Sequence, residues 1–377
     1  MRRYPLFDPP EYVDWVADPE LVADIAERPR RDPDRRAIVD ALDEAALLEL
    51  YAGLLRNRLH DIALKRWVRR GVISKAWLGT GEEAVTIGNV HALDRRRDVV
   101  CPMIRNAGAL AEMGMPLERV FRGYLGSDHG PNGGRDGHFG DLAAGVLQPI
   151  SHVGAMVPVT AGLALAFQRR GEARVALTWV GDGATKTSDF HEGINFAAVQ
   201  RVPAIFVIQN NQVALGTRLE QHQRGDFREW PRMYGMDGAY ADGNNILDVY
   251  AATRLAANTA RGGGGPVMIV VDTFRMCGHA THDEAEARAT FDPVLFESWG
   301  RRDPIGLFEA HLARQGIATD RLEAIEVEVE AAIEQAAESA LSARAAEIPA
   351  AATAELTGIS AGVRQPGLAF RTGGPKP

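Results

Sequence analysis

Cysteine is nearly absent: Cys101 and Cys277 are the only two in 377 residues. Two thiols cannot build a cysteine-rich zinc site or a disulfide framework, and they suit a reducing compartment. No run approaches the roughly 20 uninterrupted apolar residues that a membrane-spanning helix needs. Met1-Arg2-Arg3-Tyr4-Pro5 leads into acidic residues and prolines, so a cytoplasmic protein without a secretory signal is expected. Basic excess is missing too. The chain sets 42 Lys and Arg against 50 Asp and Glu, a net −8, which offers nucleic acid no overall attraction. The one basic cluster, Arg28 to Arg36, is interrupted by Pro29, Asp32, Pro33 and Asp34 and reads as a solvated lead-in.

Several motifs lack the part that would give them chemistry. Gly262 to Gly265 is followed by Pro266 and a strand-like run, not by the Lys-Ser/Thr of a phosphate loop. His191-Glu192 has no second histidine to complete a zinc-protease helix. His129, His138 and His152 share no element that would fix them around a metal, and no internal repeat is present.

What remains is an ordinary globular composition, 46% hydrophobic and 24% charged, long enough for a large core. Residues 1–36, rich in Pro, Asp and Arg, read as an extended arm, and residues 1–42 stand outside the main domain. A helix is expected from about Asp43 to Arg70, because Leu47, Tyr51, Leu54, Leu55, Leu59 and Ile62 recur at helical spacing and Gly71 stops it. Gly79-Thr80-Gly81-Glu82-Glu83 opens a second helix with carboxylates in its first turn. Residues 125–145 are loop-like, and a small-residue helix spans Ala155 to Arg169.

Three β-branched runs, Arg174–Val180, Ala204–Gln209 and Val267–Asp272, alternate with helical patterns. That alternation predicts an α/β fold: a parallel sheet flanked by helices within one domain over 43–346, with helical N- and C-terminal extensions. A last helix from Asp320 to about Ala346 carries Leu322, Ile325, Val329 and Ile333 on one stripe. Residues 347–377 are Ala-, Gly- and Pro-rich and read as a flexible tail, ordered only against a partner.

The chemistry concentrates between Val175 and Thr217. The order is strand, Gly181-Asp182-Gly183, helix (about Asp189–Gln200), strand, Gln209-Asn210-Asn211. Ligands of open parallel sheets collect at the carboxyl ends of strands, where both polar clusters fall. Gly181 and Gly183 are expected to let the backbone turn sharply and approach a ligand. Asp182 offers an anionic oxygen and Asn211 a neutral one. A single carboxylate with neutral oxygens suits Mg²⁺, which draws its other ligands from water and phosphates. The unit therefore asks for a diphosphate.

The run GDGATKTSDFHEGINFAAVQRVPAIFVIQNNQVALGT resembles the thiamine-diphosphate motif of transketolase-like enzymes. In detail it is similar to the α subunit of the pyruvate and branched-chain 2-oxo acid dehydrogenases, and the likeness extends from about Glu82 to Gln335. The resemblance implies Mg²⁺ held by Asp182, Asn211 and the carbonyl of Val213, with Gly181, Gly183 and Ala184 against the cofactor. Ser151 and Val153 would meet the aminopyrimidine side, Val153 beneath the bent cofactor. Arg105 would grip the diphosphate; the family usually has Tyr before it, where this chain has Ile104. His279, in Cys277-Gly278-His279, would face the cofactor as the catalytic histidine, with an ordinary imidazole pKa near 6.5 suiting donor and base roles. His138 would approach through the Gly-rich loop. Mitochondrial members carry a regulatory serine after this histidine; Ala280 stands there.

The same resemblance implies thiamine-dependent decarboxylation of a 2-oxo acid and reductive acylation of a lipoyl group on an acyltransferase partner. The carboxylate that activates the aminopyrimidine is not found in this chain; in the family it comes from a β subunit, which implies an α₂β₂ heterotetramer. Pyruvate is the favoured substrate, with branched-chain 2-oxo acids and acetoin as alternatives. A thiamine enzyme that never meets a lipoyl group and a non-catalytic thiamine-binding subunit stay open as more distant readings.

Overall fold

Side-chain alternation along each apolar run decides which face every residue covers. Ala176 and Val180, Ala204, Phe206 and Ile208, and Met268 and Val270 project into one buried layer. Leu177 and Trp179, Ile205 and Val207, and Val267, Ile269 and Val271 project into the opposite one. A strand buried on both faces reads as a continuous hydrophobic run, which is what parallel sheets require. Each fully buried Ile, Val or Phe contributes about 1.5–3 kcal/mol from the area it removes from water.

The computed structural model describes residues 1–347 of the 377. Its strands are β1 (Val99–Cys101), β2 (Ala176–Gly181), β3 (Ala204–Asn210), a short hairpin β4 (Val213–Ala214) and β5 (Thr217–Arg218), β6 (Asp237–Asp242) and β7 (Val267–Asp272). Five form one parallel sheet in the order β1-β2-β3-β7-β6. The Met156–Arg169 and Ser188–Gln200 helices pack together over one face, through Val157, Ala161, Phe190 and Ile194. The Glu83–Ala92 and Ile246–Arg261 helices cover the other, through Val85, Val249 and Ala256. Trp179 anchors that layer, its indole N–H donating to Asn89 Oδ1 at 2.7 Å. Outside it, the Glu44–Arg69 helix packs against the Pro304–Arg314 and Thr319–Ala343 helices in a third, all-helical cluster.

The expected α/β architecture and its main elements are present. Besides the β4–β5 hairpin, two strands of the main sheet go beyond the expectation. β1 is only three residues long, and β6 reads Asp-Gly-Ala-Tyr-Ala-Asp, too polar to announce itself. The edge position of β6, paired only with β7, tolerates that composition. The expected extended arm is a correction: residues 10–13, 19–30 and 33–40 are helical. Asp18 and Asp32 each accept two backbone N–H groups ahead of Pro19 and Pro33, so the Asp-Pro pairs act as helix starts. All but Glu347 of the expected tail lies outside the described residues.

Candidate active site

Register brings the two polar clusters together. Gly181 pairs with Gln209, so Asp182 and Asn211 leave the carboxyl ends of neighbouring strands. Both are buried. Asn211 Nδ2 donates to Glu82 Oε1 at 2.9 Å, and Gln209 Nε2 donates to the same oxygen at 2.5 Å. Because the amide nitrogen is engaged, Asn211 Oδ1 is the free end; it accepts only a long 3.4 Å contact from the Val213 N–H. Among the described residues Asp182 Oδ2 has no hydrogen-bond partner, although His222 Nε2 stands 3.1 Å away. Burial pushes the Asp182 carboxyl upward, and the neighbouring imidazole works against that rise. Val213 opens β4, where its carbonyl is 3.4 Å from Arg275 Nη1.

The glycines act differently from the expectation. Neither Gly181 nor Gly183 adopts a positive φ. At Gly183 a side chain would come within 2.5 Å of Ala214 Cβ, so close packing of the turn on the β4–β5 hairpin demands glycine there. The conformational demand falls on Gly154, at φ +82°, where a side chain would also strike Thr187 Oγ1 at 2.1 Å.

Two guanidiniums converge beside these oxygens. Arg105 donates to the Leu78 carbonyl at 2.9 Å and lies 3.6 Å from Glu82 Oε2. Arg275 donates to the carbonyls of Leu215 at 2.9 Å and Cys277 at 3.2 Å, with no carboxylate in ion-pair contact among the described residues. Burial, reinforced by Arg105, pushes Arg275 down to about 10. A buried cation whose hydrogen bonds go to carbonyls, next to another cation, can receive an anion. Glu82 and Arg275 are functional candidates that sequence reasoning missed, since their partners lie far along the chain.

His279 is half-buried between them. Arg105 Nη2 is 3.3 Å from its Nδ1. A guanidinium only donates, so Nδ1 accepts and the neutral ring carries its proton on Nε2. Burial, then Arg105 and Arg275, lower the His279 pKa to about 4. This corrects the expected value near 6.5: at neutral pH the ring is uncharged and serves as a donor through Nε2–H. In the free chain its C2 proton should titrate by NMR near pH 4, and Arg105→Gln should move that midpoint upward. A wild-type midpoint at 6.5 would refute the arrangement.

Arg105 and His279 adjoin a cavity of about 320 Å³ walled by Trp77, Met103, Ile104, Ile150, Met156 and Val157, whose lining does not include Asp182, Asn211, Val213 or Arg275. Arg105, His279, Ser151, Val153 and Ala184 also line it. So does His138, whose Nε2 is 2.8 Å from Ser151 Oγ and whose Nδ1 is 3.0 Å from Asp136 Oδ1. Val153 is 65% exposed at the mouth. Among the described residues, no Asp or Glu lines the cavity.

Comparison with known proteins gives a consistent result. Residues 53–349 match the family described as Dehydrogenase E1 component. The chain is 31% identical over 286 residues to the 2-oxoisovalerate dehydrogenase subunit alpha of Bacillus subtilis (strain 168), covering 75% of this chain and 86% of that one. It is 32% identical over 313 residues to the pyruvate dehydrogenase E1 component subunit alpha of Staphylococcus aureus (strain MRSA252), covering 79% and 80%. The corresponding Bacillus subtilis (strain 168) pyruvate dehydrogenase subunit is 33% identical over 299 residues, covering 78% and 76%.

Proposed function

The chain belongs to the dehydrogenase E1 component family, as an α subunit of a 2-oxo acid dehydrogenase, and from that premise we propose that it binds thiamine diphosphate through Mg²⁺ and forms half of an active site. The family depends on thiamine diphosphate. One observation carries the reading for this chain. Asp182 and Asn211 are buried at adjacent strand ends, Asp182 with an oxygen unpartnered among the described residues and Asn211 with one that accepts only a 3.4 Å backbone contact, near the guanidiniums of Arg105 and Arg275.

The residues fit the group. Asp182, Asn211 and the Val213 carbonyl would supply hard oxygens to Mg²⁺. Arg105, Arg275 and the Nε2–H of His279 would bind the diphosphate, with Gly181, Gly183 and Ala184 lining its approach. Ser151 and Val153 would bound the pyrimidine side. When bound, thiamine diphosphate supplies the electron sink that decarboxylation of a 2-oxo acid requires. The apolar wall around Trp77 and Ile104 would exclude water, and the neutral His279 ring would offer its Nε2–H to an anionic ligand.

The exposed Val153 at the cavity, together with a cavity lining that holds no Asp or Glu among the described residues, is compatible with completion by a β subunit in an α₂β₂ assembly. Val159, Phe196 and Val199, exposed on the paired Met156–Arg169 and Ser188–Gln200 helices, offer that partner an apolar face. A lipoyl-bearing acyltransferase would accept the acyl group, in the cytoplasm. Pyruvate is the favoured substrate. Branched-chain 2-oxo acids are the second reading, favoured by the side chains of Ile104, Ile150 and Trp77 in the wall.

The test is reconstitution with a co-expressed β chain and a lipoylated acyltransferase. The isolated chain should show no turnover, and the pair should decarboxylate pyruvate and reduce the lipoyl group. Pyruvate should exceed 2-oxoisovalerate in kcat/KM by about tenfold or more, the scale on which a pocket distinguishes added methylenes. The reverse ratio would reassign the substrate. Full turnover by the isolated chain would sink the half-site reading.

A further inference from the structure

One polar side chain at the strand ends has no place in the ligand set above. His222 ends the short Leu219–His222 helix, which follows directly from the β4–β5 hairpin. Its ring is 13% exposed, yet both of its nitrogens are buried and without hydrogen-bond partners among the described residues. An imidazole left so costs stability unless something fills the gap.

The segment is held in place. The Leu219 N–H donates to the Gln212 carbonyl at 3.1 Å, and Gln212 Nε2 donates to the Thr273 carbonyl at 3.0 Å. Next to His222, Gln223 accepts from Lys186, which belongs to the turn that follows Asp182. The hairpin that presents the Val213 carbonyl therefore also returns His222 over Asp182.

Nε2 of His222 and Oδ2 of Asp182 are 3.1 Å apart, but they are not aligned as a hydrogen bond, and each remains unpartnered. Two unpartnered atoms at that distance have the spacing of neighbouring ligands on one ion. For bonds of about 2.1 Å at right angles, adjacent ligand atoms are about 3 Å apart. The ligand count agrees. Asp182, Asn211 and the Val213 carbonyl would give three protein oxygens, and an octahedral ion that also takes phosphate oxygens would still have room for a further protein group.

We propose that His222 is a further protein ligand of the cation, filling with an imidazole nitrogen the position that water would otherwise take. The inference rests on the metal–diphosphate reading above. A nitrogen in an otherwise all-oxygen set shifts preference from Mg²⁺ towards Mn²⁺, Co²⁺ and Ni²⁺, because imidazole binds the later divalent metals more strongly.

The experiment uses the full chain co-expressed with its β subunit and loaded with Mn²⁺ and thiamine diphosphate. Bound Mn²⁺ is counted, and pulsed EPR reads nitrogen coupled to it. The wild type should show ¹⁴N modulation that changes to ¹⁵N on labelling with ¹⁵N-histidine, and His222→Gln should lose it while retaining Mn²⁺. The Ni²⁺-over-Mg²⁺ affinity ratio should fall about tenfold in the same variant. Bound Mn²⁺ without histidine nitrogen coupling in the wild type would overturn the ligand assignment and leave His222 as a neighbour of Asp182. Failure of the wild type to take up Mn²⁺ would overturn the metal site itself, a separate result from the first.

Discussion

Asp182→Ala should abolish Mg²⁺-dependent binding of thiamine diphosphate without unfolding the protein. Removing an outer-shell partner of a metal ligand costs about 10–100-fold in affinity, so loss of an anionic ligand should cost at least about 100-fold. Two measurements check this. Calorimetry with Mg²⁺ and thiamine diphosphate should give heat with the wild type and none with the variant. Thermal unfolding should show the matching stability difference. A ligand at 100 times its Kd raises native stability by about 2.7 kcal/mol, and the variant should lose that increment. The free chains should differ in the opposite sense or not at all. Burial raises the Asp182 pKa, and a raised carboxylate contributes stability at low pH that is lost as pH rises. At neutral pH its removal therefore relieves a cost. A variant that still binds the cofactor normally would refute the assignment; one that unfolds would mean that Asp182 serves the fold.

Arg58→Met should be strongly destabilising. Arg58 is buried within the Glu44–Arg69 helix and bonds to three carboxylates: Glu83, Asp303 at 3.1 Å and Asp8 at 3.4 Å. It also lies 4.8 Å from the Tyr12 ring, while Arg3 holds Asp303 from the other side. One guanidinium thus ties the N-terminal segment, the start of the Glu83–Ala92 helix and the N-cap of the Pro304–Arg314 helix. Breaking a buried pair from one side leaves uncompensated charge and costs about 3–5 kcal/mol. Denaturant unfolding should show a loss of that size; a loss under about 1 kcal/mol would mean that the carboxylates find water or protons freely.

The same cluster sets a pH dependence. Burial pushes Glu83 up to about 7, against the pull of Arg58. Its contribution is then full below the ordinary 4.5 and is lost as pH rises through about 7. Glu83→Gln should flatten the stability profile across that window.

Much of the fold was legible because periodicity is local. Leu47 to Ile62 announces the Glu44–Arg69 helix, and the runs at Ala176, Ala204 and Val267 announce the central strands. β1 and β6 were not legible, one for shortness and the other for polarity, since pairing partners elsewhere stabilise them. The N-terminal helices were misjudged on composition, although their Asp-Pro starts were visible. Within the site, Asp182, Asn211, Arg105 and His279 stood out through motif and resemblance. Glu82 passed for a first-turn carboxylate because its bonds to Gln209 and Asn211 span well over a hundred residues. His222 lies in a segment without any motif, and nothing in its neighbours points to Asp182.

By itself the sequence determined the α/β layering, the order of strand, turn and helix, and the oxygen-bearing residues at two strand ends. These follow from side-chain periodicity and turn chemistry, which act over a few residues. Only the tertiary structure decided how those residues are used. It turned the Asn211 amide towards Glu82, left an Asp182 oxygen free beside His222, and set Arg105 and Arg275 around His279 so that its ring stays neutral. Burial and charge proximity depend on which distant segments meet, and that is settled by packing rather than by local pattern.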